Sequence, residues 1–158
     1  MDDIGFLEFN TSSDLFKKLK HDYEELLKVQ NSNNYLNFIL VANHLKDWID
    51  KDDTLSDEEK ENASSLLEKS NYKLFKDLAN RSKHFKFDPK HPYLKNRKTE
   101  TKDEFLPAFD FSNGDFNKWN FGDDAYLVEQ DGVLINLFQE CEMIFNIYTQ
   151  IFESYIIK

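Results

Sequence analysis

The sequence predicts a mainly α domain: a four-helix bundle with a small antiparallel β-hairpin or sheet inserted between helices 3 and 4. Three observations predict it. Glycine (4) and proline (3) are scarce among 158 residues, which favours long helices over tight turns. Apolar residues recur at helical spacing along most of the chain. Between about residues 85 and 130 that spacing gives way to alternation and turn dipeptides. With 40% hydrophobic residues and 15 Phe, residues 1–158 have the length and content for one domain with its own core.

The first helix is expected over Thr11–Gln30, where Leu15, Phe16, Leu19, Tyr23, Leu26 and Leu27 form one stripe. After a polar break at Asn31–Asn34, Tyr35–Ile49 reads as a second helix, apolar around much of its girth and therefore central. Ser56 opens the third, with Glu59 three residues on completing a capping box, and Asp57 and Glu58 at the positive end of the helix dipole. Its buried stripe runs through Ala63, Leu66, Leu67, Leu74, Phe75 and Leu78. Phe85–Phe87 alternates, and Lys90–Lys102 reads as a flexible loop. Phe105–Phe111 and Trp119–Phe121 suit two strands around an Asn113-Gly114 turn. Tyr126–Glu129 suits a third strand, closed by Asp131-Gly132. A last helix is expected over Val133–Ile157, with Leu134, Leu137, Phe138, Cys141, Phe145, Tyr148, Phe152 and Tyr155 on its apolar face.

Charge and composition narrow the function. The net charge of −10 is uneven: residues 1–80 carry −7, residues 81–102 carry +6, and residues 103–158 carry −9. Such acidity argues against coating a nucleic acid, yet the basic island leaves room for a local phosphate contact. A single cysteine, Cys141, excludes an internal disulfide and a multi-cysteine zinc site. Asp2, Asp3 and Glu8 make Met1–Asn10 unlike a signal peptide, and polar residues interrupt Val133–Ile157, so a cytoplasmic protein without membrane contact is expected. There is no Walker loop, no G-x-G-x-x-G and no G-x-S-x-G, and no cofactor is expected.

Two polar groups stand out. In Leu78–Phe85, LANRSKHF, a helix running through His84 would align Asp77, Asn80, Arg81 and His84 on one face. His84 could move a proton, Arg81 and Lys83 could hold a phosphate, and Asn80 could orient the imidazole, with Lys86 adding charge nearby. That set would suffice for metal-independent RNA cleavage by the ribose 2′-OH. Basic residues equally suit a helix C-terminus, where they complement the dipole. On helix 2, His44 and Asp47 are three apart, so the carboxylate can hold the imidazole, with Asn37 on the same face. A buried, satisfied histidine is the plainer expectation there. A metal site from His44, Asp47, His84 and His91 lacks any recognised spacing, and no metal is expected.

The bundle pattern, with Asn80 followed by His84 near a helix end, resembles the HEPN superfamily of prokaryotic helical domains. In that family a histidine lies four to six residues beyond an arginine and its polar neighbour. Here Ala79 occupies the arginine position, Arg81 falls after the asparagine, and the β insert is an addition. The resemblance implies a helical bundle, often dimeric, of toxin or phage-defence type. The expected function is a module that binds RNA or a protein partner. The alternatives are a metal-independent endoribonuclease using His84 with Arg81 or Lys83, and an acidic inhibitor that imitates nucleic acid.

Overall fold

The computed structural model of the chain describes residues 6–83, 93–97 and 125–156. It is mainly helical with a small antiparallel sheet. The order is α1 (Ser12–Lys28), α2 (Ser32–Lys51), α3 (Asp57–Glu68), α4 (Tyr72–Ser82), β1 (Tyr93–Arg97), β2 (Ala125–Gln130), β3 (Val133–Asn136) and α5 (Leu137–Ile151). A π-helical turn, Phe152–Ile156, follows α5. The chain divides into two compact units, Met1–His91 with Gln139–Lys158, and Pro92–Phe138.

In the helical unit, the first three helix starts each have a local cause. Thr11 caps α1 through a capping box with Asp14, and Ser56 caps α3 in the same way with Glu59. Asn31 caps α2 by accepting from the Asn34 N–H at 2.9 Å. Aromatic rings tie the helices together. Phe16 of α1 stacks on Phe152 at 4.3 Å, and Tyr23 stacks on Phe145 of α5 at 4.1 Å. Phe38 of α2 meets Phe75 of α4 edge-on at 6.2 Å. Leu19, Leu26, Phe38, Ala42, Leu45, Leu74, Cys141 and Tyr148 are fully buried among them.

The expected third helix is two helices. The chain turns at Lys69–Asn71: the Ser70 hydroxyl donates to the Leu67 carbonyl at 2.6 Å and receives the Tyr72 N–H at 3.2 Å. This local exchange ends α3 and starts α4 without glycine or proline. Leu67 and Leu74 are both buried and seven apart, so the apolar period survives the break. That is why the two helices read as one.

In the second unit, β1, β2 and β3 form an antiparallel sheet in that order. Tyr126–Glu129 is a strand as expected, but Val133–Asn136 is a strand too, and the last helix begins only at Leu137. Gln130 pairs with Val133 across a two-residue loop in which Asp131 (φ 51) and Gly132 (φ 79) both take positive φ. This is the geometry of a type I′ turn, which matches the twist of paired strands. The apolar run Val133-Leu134-Ile135 carries neither period clearly, and the turn decides it for β. β1 also corrects the expected loop, since Tyr93–Arg97 pairs with β2. The Phe85–Phe87 and Phe105–Phe121 elements, with the Asn113-Gly114 turn, lie outside the described residues. Adjacent Leu127 and Val128 are both buried, so both faces of β2 are covered.

Nothing lies within 4 Å of where a Cβ on Gly132 would sit, so Gly132→Ala meets no clash and its cost is the positive φ alone. It is expected to destabilise the β2–β3 hairpin by about 1 kcal/mol. Faster amide exchange in β2 and β3, with exchange in α1–α4 unchanged, is the measurement that checks it.

Candidate functional site

α4 carries the first polar group. Leu74, Phe75, Leu78 and Ala79 are buried, while Lys73, Lys76, Asn80 and Lys83 are exposed. The exposed four are spaced by three, four and three residues, which places them on one side of the helix. Lys83, at the C-cap, keeps helical backbone angles and continues the row. From Lys73 to Lys83 the row spans about 15 Å at the helical rise per residue. Arg81 is half-buried in the last turn, where its charge complements the helix dipole. Asp77 lies buried beneath the row, and its carboxylate receives the Lys73 ammonium one turn earlier.

The row was legible in part. Asn80, Arg81 and Lys83 come from the LANRSKHF stretch, whereas Lys73 and Lys76 belong to the same surface and escaped the sequence reading. The three-four-three spacing of Lys73, Lys76, Asn80 and Lys83 was the signal that could have found them. His84 and Lys86, with His91, lie outside the described residues.

The second group is placed differently from expectation. Asn37, His44 and Asp47 are exposed on α2, not buried in it. The bundle buries the opposite side of that helix, Tyr35, Phe38, Ile39, Ala42, Leu45 and Ile49. No hydrogen bond or ion pair joins His44 to Asp47 among the described residues. The two groups do not share a site either. The Tyr72 hydroxyl donates to the Asn43 carbonyl at 2.9 Å, and Phe75 meets Phe38, so α4 runs antiparallel to α2. His44 therefore neighbours the start of α4, and Lys83 lies about 16 Å further along the helix.

A pair of tyrosines sits on successive carbonyls of α2. Tyr148 of α5 donates to the Ala42 carbonyl at 2.6 Å, next to the Tyr72–Asn43 bond. Burial pushes the Tyr72 phenol up to about 12, helped by the charges of Asp47 and Asp50, and burial pushes Tyr148 up as well. Both hydroxyls are donors that clamp α4 and α5 to α2, and both stay protonated near neutral pH. Cys141 is fully buried, and burial pushes its thiol up, which suits packing and not nucleophilic chemistry. Among the described residues no three His, Cys, Asp or Glu side chains converge as metal ligands, and no helix is long and apolar enough to cross a membrane. Comparison of the chain with protein-family models, curated proteins and solved structures finds no match.

Proposed function

We propose that this chain is a helical module that binds RNA through the exposed face of α4, holding the phosphate backbone without cutting it. One observation carries the reading: a chain of net charge −10 presents Lys73, Lys76, Asn80 and Lys83 on a single helix face. Acidic proteins scatter lysines over their surface for solubility, and a row on one face instead concentrates positive potential where a polyanion can follow it. Lys76 and Lys83 make no ion pair among the described residues, so their charge is presented to solvent. Asn80 between them adds a neutral donor and acceptor for a phosphate or sugar oxygen. His44 and Asp47 lie toward the other end of α4 and do not complete a cleavage site with the row.

Binding should weaken steeply with salt, because each neutralised phosphate releases counterions. Lys76→Glu/Lys83→Glu is expected to weaken binding of a mixed single-stranded RNA by at least about tenfold at low salt, and to flatten the dependence of log K on log salt. Filter binding or fluorescence anisotropy across a salt series checks this. RNA affinity unchanged by the two substitutions would sink the reading. The same RNA incubated with excess EDTA should stay intact. Cleavage by the wild type that disappears in His84→Ala would replace a binding module with a metal-independent ribonuclease.

A further inference from the structure

α3 carries the counterpart of the α4 row. Its exposed side chains include Glu58, Glu61, Ser65 and Glu68, again spaced by three, four and three residues. Set against Lys73, Lys76, Asn80 and Lys83 at a constant offset of 15 residues, every position matches in kind. Glu58 stands opposite Lys73, Glu61 opposite Lys76, Ser65 opposite Asn80, and Glu68 opposite Lys83. The two rows are on one chain, yet among the described residues Glu58, Glu61, Glu68, Lys76 and Lys83 form no ion pair. Both faces therefore present their charge outward.

We infer that the occupant of each face is the opposite face of a second copy: α3 of one chain lies along α4 of the other, and the reverse contact forms at the same time. Identical spacing with opposite charge is what a self-complementary, two-fold contact requires, since the same patch must serve both partners. Charge complementarity fixes the register, because a shift by one helical turn would set Ser65 against a lysine and leave an end carboxylate or ammonium unmatched. Exposed ion pairs contribute little one by one, so the dimer is weak and salt-dependent. Resting on the RNA reading above, the contact would also mask the α4 row: the acidic face of α3 occupies the place of the phosphates, and RNA and the second copy compete.

The test reverses charge on two residues of each row and spares Lys73, which serves the buried Asp77. Sedimentation of the wild type, without RNA, should show a dimer at about 0.02 M salt and a monomer at about 0.5 M. Lys76→Glu/Lys83→Glu and Glu61→Lys/Glu68→Lys should each be monomeric at low salt, with helical circular dichroism retained. Mixing the two variants should restore a dimer, because each then supplies the face that the other has lost. A wild type that is monomeric at low salt overturns the inference, and so does a mixture that stays monomeric while both variants are folded. Sedimentation contains no RNA, so failure of the RNA reading leaves its result standing. If both readings hold, Glu61→Lys/Glu68→Lys should bind RNA severalfold more tightly than the wild type at low salt.

Discussion

Lys18→Met is expected to destabilise the protein by about 3 kcal/mol, although Lys18 itself is a partly exposed residue. The cause lies one turn along. Asp22 is 3% exposed and falls in the buried row of α1, between Leu19 and Leu26. One of its oxygens receives the Lys18 ammonium, and the other, Oδ2, is buried without a hydrogen-bond partner. Removing the ammonium leaves a charge in the core with nothing opposite it, whereas removing both members removes the problem. The Lys18 side chain is 35% exposed, so water can soften the loss, and the value falls at the low end for a broken buried pair. Asp22→Val, close in volume and apolar, is expected to be neutral or stabilising by up to about 1 kcal/mol, and Lys18→Met/Asp22→Val should lie near the wild type. Urea unfolding of the four proteins at neutral pH gives the coupling directly. A Lys18→Met protein within about 0.5 kcal/mol of wild type would show that Asp22 does not depend on this partner.

Asp22 also marks where sequence reading stops. Periodicity located α1, α2 and α5 because their buried residues repeat every three or four positions, and Thr11 and Ser56 sit at helix starts for reasons that are local. The break at Lys69–Asn71 was hidden because the apolar period continues across it, and the stop is made by one serine hydroxyl. The start of α5 was misjudged because Val133–Ile135 fits a strand as well as a helix, and two positive φ angles outside that segment settle the matter. The face on which His44 lies was not legible either. α2 is apolar on several sides, so composition alone could not say which side meets α4 and α5. The row on α4 was partly legible, since its basic end drew notice as a cluster, while Lys73 and Lys76 acquire meaning only once the buried face of that helix is known.

Asp52→Ala is expected to cost about 3 kcal/mol, and the pH dependence of the wild type beside that of Asp52→Asn should identify the same carboxylate. Asp52 ends α2 and reaches the start of α1, 40 residues earlier in the chain. One oxygen accepts from the Ser12 N–H at 2.8 Å and the Ser12 hydroxyl at 2.6 Å; the other accepts from the Thr54 N–H at 3.0 Å and the Thr54 hydroxyl at 2.5 Å. Ser12 is fully buried, so alanine at 52 strands two of its donors away from water, while the exposed Thr54 can turn to solvent. The carboxylate also places negative charge at the positive end of the α1 dipole. Burial opposes that charge, but the hydrogen bonds from Ser12 and Thr54 outweigh it, and the Asp52 carboxyl lies below the ordinary range. A carboxyl that is more acidic in the folded state stabilises the fold fully above its unfolded value of about 4, and that share is lost as the pH falls through the lower folded value. Asp14 is lowered too, chiefly by the Asn10 N–H, so acid sensitivity of the wild type alone would not single out Asp52. Asp52→Asn does so: it keeps one acceptor oxygen and cannot ionise. The Asn variant should melt below the wild type at pH 7; the gap should start to close as the pH drops below about 4 and vanish only below the lower folded value, where protonated Asp52 resembles the amide. A gap that stays constant across that range would mean that the shape of the side chain, and not its charge, joins α1 to α2.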